Sequence, residues 1–367
     1  FERLGHRVTR LRFENDPGFV RTLLTVSLDA DLLVTINHLG FDQHGELAAI
    51  LEQIKLPYVS WFVDRPGFIL LGYPSGAGEM ANLFTWERST ITEIRNYGFE
   101  RVEFLPLATD PERFTPGEDL SRGALRWVAN SMVSAAAEWR EKAGVDHSGL
   151  FDLFERAVAL QQAGRIEAVA ALQTAAVAEG IDIAEWDEHR RLTFASAVAL
   201  EATKRFRHAL AFANAGNGLH LYGDEAWREV APAIPYEGHV PYPQGLPGVY
   251  RGGLHLNCTS YQMPSSVNQR VFDIPMCGGI LITDDQEDMH ELFKASEECV
   301  LFDAPEEAAE RATFLLENPE PGRQRMGKAW KRIQKEHTYD HRARTILRSV
   351  QKAFGRVAIL TEGGKHD

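Results

Sequence analysis

Cysteine is scarce in this 367-residue chain: Cys258, Cys277 and Cys299 are an odd number without metal-like spacing, so no disulfide framework is encoded. That usage fits a reducing compartment and points to the cytoplasm. Long apolar runs are also missing. No stretch of 18 or more uninterrupted apolar residues occurs, and the most apolar helical region, around 150–180, is broken by Glu155, Arg156, Arg165 and Glu167, which argues against a transmembrane helix. Positive charge is in deficit, with 39 Lys and Arg against 52 Asp and Glu and a net charge of −13. This disfavours a nucleic-acid backbone or an anionic membrane as principal partner, although a local basic pocket can still hold a phosphate. Repeats and low-complexity tracts are absent. What remains is 44% hydrophobic, 25% charged and 10% aromatic, the composition of a globular protein with length for two domains or one large one.

The first 115 or so residues alternate β-rich runs with helical segments, the pattern of a parallel sheet covered by helices. Leu32–Asn37 and Tyr58–Val63 are continuous apolar runs, as buried parallel strands require. Between them Leu47, Ile50 and Leu51 recur at helical spacing, and Leu56-Pro57 ends that helix. The chain opens on Phe1–His6, read as a helix end, and a strand-like Arg7–Phe13, so the N-terminal domain is expected to lack its first strand. A Pro-rich stretch to Gly117 sets a domain boundary near residue 117. Beyond it, Leu125–Val128 reads as a strand and Val133–Lys142 as a helix. Residues 148–213 read as two or three inserted helices, with turns near Gly164 and Gly180. Strands are then expected at Gly218–Tyr222, His239–Tyr242, Leu254–Asn257 and Gly279–Thr283, and a helical tail over 321–354.

The strongest local signal is Ser266–Asp285, SVNQRVFDIPMCGGILITDD. A polar loop enters a short helix carrying Arg270 and Asp273, then a Gly-Gly turn, then a buried strand. In open α/β sheets ligands bind outside the carboxyl ends of the strands. Asn268 at the helix start suits a diphosphate, Arg270 suits charge on a leaving diphosphate, and Asp273 can accept hydrogen bonds from ribose hydroxyls. The alternatives are that Asp273 caps its own helix and that Arg270 forms a salt bridge with Asp273 or another acid. The turn at Asn130 and Ser131 can present N–H groups to the same diphosphate, or Ser131 can serve as an N-cap. His38 and Asp42 follow one N-terminal strand and Asp64 follows the next. Any of the three could act as general base for an acceptor hydroxyl, with Asp64 and His38 ranked ahead of Asp42 by position; ordering of their loops is the alternative. Trp61 and Trp86 suit a core. His337 and His341 are spaced i, i+4 without a third ligand, and Asp29-Ala30-Asp31 precedes a buried strand, so no metal site is expected.

The segment LHLNCTSYQMPSSVNQRVFDIPMCGGILITD resembles the C-terminal domain of bacterial glycosyltransferases of the spore maturation protein CgeB type, which are GT-B enzymes. WVANSM (Trp127–Met132) and EHTYDHR (Glu336–Arg342) extend the likeness. NHLGFD, SWFVDRP and LPLATDPERF are similar to the accompanying N-terminal domain. The resemblance implies an α/β, GT-B architecture of two Rossmann-like domains facing across a cleft, with a helical segment inserted in the C-terminal half. Residues 1–117 would form the acceptor-side domain, 118–335 the nucleotide-sugar domain, and 336–367 a helix crossing back with its tail. It further implies sugar transfer from a nucleoside diphosphate sugar to a hydroxyl on a protein, lipid or glycan, without a cofactor or essential metal. The donor would lie near Asn130, Ser131, Tyr222, Gly223, Tyr242, Asn268, Arg270 and Asp273, and a homodimer is compatible. Ser265 stands eight residues before Asp273, where related enzymes carry an acid nearby. That departure keeps in view a catalytically silent glycan- or protein-binding module, with a nucleotide-sugar epimerase as a third reading.

Overall fold

A computed structural model describes residues 1–13, 17–73, 78–118, 123–146, 149–242 and 244–355. The expected C-terminal tail, 356–367, and residue 148 at the start of the expected insertion lie outside them. The chain divides into two compact units, one of Phe1–Leu107 with the chain from Tyr339 onward, the other of Ala108–Thr338.

The first unit runs α1 (Pro17–Ser27), β1 (Leu33–Ile36), α2 (Glu46–Gln53), β2 (Tyr58–Phe62), α3 (Pro66–Leu70), β3 (Ala81–Thr85), α4 (Thr90–Asn96), β4 (Val102–Phe104). Its four strands are parallel in the order β1-β2-β3-β4. β2 and β3 are buried along their whole length, Ser60, Asn82 and Thr85 included, whereas edge strand β1 alternates half-buried and exposed. Arg7–Phe13 forms no strand; it is exposed except at Leu11, which packs against the core of this unit.

The second unit runs β5 (Leu125–Val128), α5 (Val133–Lys142), α6 (Phe151–Gly164), α7 (Ala168–Glu179), α8 (Glu188–Ala213), β6 (Leu219–Tyr222), α9 (Trp227–Val230), β7 (Tyr236–Gly238), α10 (Leu246–Tyr250), β8 (Leu254–Asn257), α11 (Arg270–Met276), β9 (Ile280–Asp284), α12 (Glu287–Leu292), α13 (Ala295–Glu298), β10 (Val300–Phe302), α14 (Pro305–Glu317) and α15 (Glu320–Glu336). All six strands are parallel in the order β10-β9-β8-β5-β6-β7. The order reverses between β5 and β8, which makes the crevice at their carboxyl ends the ligand position of a doubly wound sheet. The strand expected at His239–Tyr242 is displaced to Tyr236–Gly238, so Tyr242 stands in a loop.

The insertion is three helices with the expected turns, and it belongs to the core. Phe194, Val198, Phe206 and Leu210 of α8 join Trp127, Leu221 and Ile282 of the sheet in one cluster. Asp187 caps α8 through the Arg190 N–H at 2.7 Å, and Glu167 caps α7 through Val169 and Ala170.

The division between the units falls before 117 because the Pro-rich segment is tied to the second unit. Thr109 N–H donates to the His337 carbonyl at 3.2 Å, Phe114 stacks on Tyr250, and Arg251 donates to the Thr115 carbonyl. The last helix, α16 (Tyr339–Phe354), belongs to the first unit. Ala343, Ile346, Leu347 and Val350, at helical spacing, pack on Val59, Trp61, Phe84 and Leu105. Arg342 anchors it by donating to the Pro106 and Leu107 carbonyls at 2.7 and 2.9 Å.

Candidate functional site

The carboxyl ends of β5, β6 and β8 bring together most of the expected donor residues. Asn130 is exposed after β5. Ser131 is fully buried, and its N–H and hydroxyl donate to the two oxygens of Asp224 at 2.7 and 2.6 Å. Its amide is thus occupied by a carboxylate from the β6–α9 loop and is not presented to a phosphate; its Oγ accepts from Val133 N–H at 3.3 Å. Gly223 follows the half-buried Tyr222 and lets these two loops close, since a Cβ there would sit 2.1 Å from the Ala129 carbonyl oxygen. Burial raises the Tyr222 phenol above its ordinary pKa. Asn268 spends its amide on Asn257 Oδ1 and the Cys258 carbonyl, at 3.2 and 3.0 Å, while its Oδ1 accepts from Arg270 N–H at 3.1 Å. It shapes the loop into α11. Tyr242 is exposed and accepts from Gln269 Nε2 at 2.8 Å.

Arg270, on the first turn of α11, forms no ion pair among the described residues, so the alternative of a salt bridge with Asp273 or another acid is not made there. Its guanidinium lies against the Tyr250 hydroxyl. Asp273 points inward instead. It is 1% exposed beside the Thr109 hydroxyl, with Oδ1 unpartnered. Burial pushes its carboxyl up to about 8, against the opposing pull of Thr109 and Arg270. This corrects the expectation of a carboxylate open to ribose: the segment after Thr109, absent from any local reading of α11, covers it.

In the first unit the two favoured bases part company. Asp64 is exposed and accepts from Asn37 Nδ2 at 2.7 Å, while Asn37 Oδ1 accepts from Val63 N–H at 2.8 Å, a bracket joining the ends of β1 and β2. His38 is a core residue, which corrects its reading as a base. It is 5% exposed among Phe41, Tyr58, Phe62, Tyr73 and Phe99, and desolvation lowers its pKa to about 3. Asp42 accepts from the N–H groups of His44, Glu46 and Leu47 and starts α2. His337 hydrogen-bonds the Leu292 carbonyl at 2.8 Å, and among the described residues no three metal-ligating side chains cluster.

Sequence reasoning missed the charges that the insertion brings. Arg165, just after α6, pairs with buried Asp284 at 2.7 Å beneath Tyr261 and Phe206. Asp284 also accepts from Thr259 N–H at 2.9 Å, fixing the loop after β8. Asp284→Asn, which leaves the half-buried Arg165 guanidinium without its counter-charge, is expected to cost about 2 kcal/mol in urea unfolding. Equal midpoints for variant and wild type would refute the pairing's importance. Arg207 of α8 donates to the Asn130 carbonyl at 2.7 Å. Its only advance signal was a cation on an otherwise apolar helix face, which position alone cannot tell from a solvated one.

Residues 184–348 match the sequence model of a family described as glycosyl transferase-like. No curated protein sequence matches the chain. Among solved structures, sucrose-phosphate synthase from Thermosynechococcus elongatus superposes with a TM-score of 0.51 at 10% identity, covering 93% of this chain and 78% of that one. HepE of Anabaena, in complex with UDP and glucose, gives 0.53 at 10% identity over 91% of this chain and 82% of its own. This is a GT-B fold. A glycosyltransferase from Rickettsia africae shares the GT-B fold with a TM-score of 0.50 at 8% identity, covering 95% and 85% of the two chains. The two parallel-sheet units described above are the two Rossmann-like domains of GT-B. No helix among the described residues is long and apolar enough to cross a membrane.

Proposed function

We propose that this GT-B protein transfers a sugar from a nucleoside diphosphate donor to a hydroxyl acceptor. The observation that carries the reading is Arg270: a guanidinium with no carboxylate ion pair among the described residues, at the crevice of a doubly wound sheet, within the region matched by a glycosyl transferase-like family. In the reaction the acceptor oxygen bonds to the anomeric carbon, the bond from that carbon to the diphosphate oxygen breaks, and the nucleoside diphosphate leaves with the electron pair. Arg270 stabilises the charge that develops on it. The acceptor proton passes to a base, for which exposed Asp64 remains the candidate. The CgeB-type likeness favours a bacterial, cytoplasmic enzyme acting on a protein, lipid or glycan hydroxyl, without an essential metal. HepE, in complex with UDP and glucose, makes UDP the first donor base to try.

The test is a thermal-shift screen with UDP, GDP, dTDP, ADP and CMP, with and without magnesium, since a ligand of the native state raises its apparent stability. One diphosphate should shift the transition, and Arg270→Ala should abolish the shift and lower kcat/KM by roughly 10²–10³-fold. Wild-type turnover in that variant would remove Arg270 from the site. Absence of a shift with every nucleotide would favour the glycan- or protein-binding module that Ser265 keeps in view.

A further inference from the structure

Three arginines, Arg165, Arg207 and Arg270, bear electrostatically on the Cys258 thiol just after β8. Their charges are not equally answered. Arg165 has Asp284 at 2.7 Å. Arg207 and Arg270 lie within each other's field and form no ion pair among the described residues. Arg207 is 6% exposed, donates through Nη1 to the Asn130 carbonyl, reaches the Cys258 thiol, and leaves Nε without a partner. Asp224 is the acid that Arg207 feels, yet both its oxygens are taken by Ser131. Two neighbouring guanidiniums, one of them buried, are costly to hold without a counter-charge. Asn130 is exposed beside them, so the pair lies just beneath the surface at the β5/β8 switch point.

We propose that Arg207, delivered by the inserted helix α8, is a second guanidinium on the donor's diphosphate, paired with Arg270 across the switch point. The proposal rests on the reading of this unit as a nucleoside diphosphate sugar site. A planar fork with an unused N–H matches phosphate oxygens, and a diphosphate supplies the missing negative charge for both arginines. It also gives the insertion a role: the helix that completes the core of the unit carries part of the donor site, so donor affinity depends on how α8 is seated.

Calorimetric titration of the full chain with inorganic pyrophosphate and with UDP tests this in wild type, Arg207→Gln and Arg270→Ala. Arg207→Gln should weaken pyrophosphate about 10- to 100-fold, the loss of one charge-assisted contact. Wild-type affinity in Arg207→Gln with weakened binding in Arg270→Ala would overturn the proposal and leave the donor-site reading standing. Failure of the wild type to bind either ligand would overturn both. Should Arg207→Gln not unfold cooperatively, a crystal structure of the wild type with pyrophosphate decides. A phosphate oxygen within hydrogen-bond distance of the Arg207 guanidinium is expected, and a pyrophosphate held by Arg270 without Arg207 overturns the proposal.

Discussion

Replacing Asp273 with Asn is expected to stabilise the protein much more at pH 8 than at pH 5. The Asp273 carboxyl is buried beside Thr109, and burial lifts its pKa from 3.8 to about 8. The folded chain therefore keeps a proton that the unfolded chain releases at pH values between these two. Such a group contributes stability that is fully present below the unfolded pKa and is lost as pH rises through the folded one. The slope is about 1.4 kcal/mol per pH unit, so wild type should lose roughly 4 kcal/mol from this residue between pH 5 and pH 8. The Asn variant has the same shape, no proton to lose and no such slope. Urea unfolding at the two pH values reads the difference directly, and parallel pH profiles would show that Asp273 is not buried as a neutral acid. A chain that holds an acid at such cost, one turn beyond Arg270, fits the trade of stability for function common at binding sites.

His38 makes the opposite prediction at acid pH. Its ring lies among five aromatic side chains with neither nitrogen partnered, and desolvation lowers its pKa from 6.5 to about 3. Here the unfolded chain takes up a proton that the folded chain refuses. The stability is complete above about pH 6.5 and is lost as pH falls towards 3, reaching about 5 kcal/mol over the full interval. His38→Phe keeps an aromatic ring in that space and removes the titration. Its acid unfolding should be displaced to lower pH than that of wild type. An unchanged acid limb would mean that His38 is protonated in the folded protein and reaches solvent. The backbone of residue 38 is left-handed, with φ at 57°, and its N–H donates to Ser60 Oγ at 2.9 Å, which turns the ring inward after β1.

Local pattern determined much of this protein. The apolar run at Tyr58–Val63 and the strand expected at Leu254–Asn257 became buried parallel strands, and the helix expected at Val133–Lys142 has those bounds. The turns at Gly164 and Gly180 separate the inserted helices. The placement of Asn130, Tyr222 and Arg270 at one end of one sheet follows from their positions just after strands or at a helix start, which periodicity reveals. Tertiary structure decided what each polar group does there. Arg207 meets Asn130 across 77 residues of chain and Asp224 meets Ser131 across 93. No window of sequence contains either pair. The same holds for the inward turn of Asp273 under Thr109 and of His38 among aromatic rings. Whether a charge is exposed, paired or neutralised depends on which distant segments exclude water from it, and local periodicity encodes the face of an element without encoding what covers it.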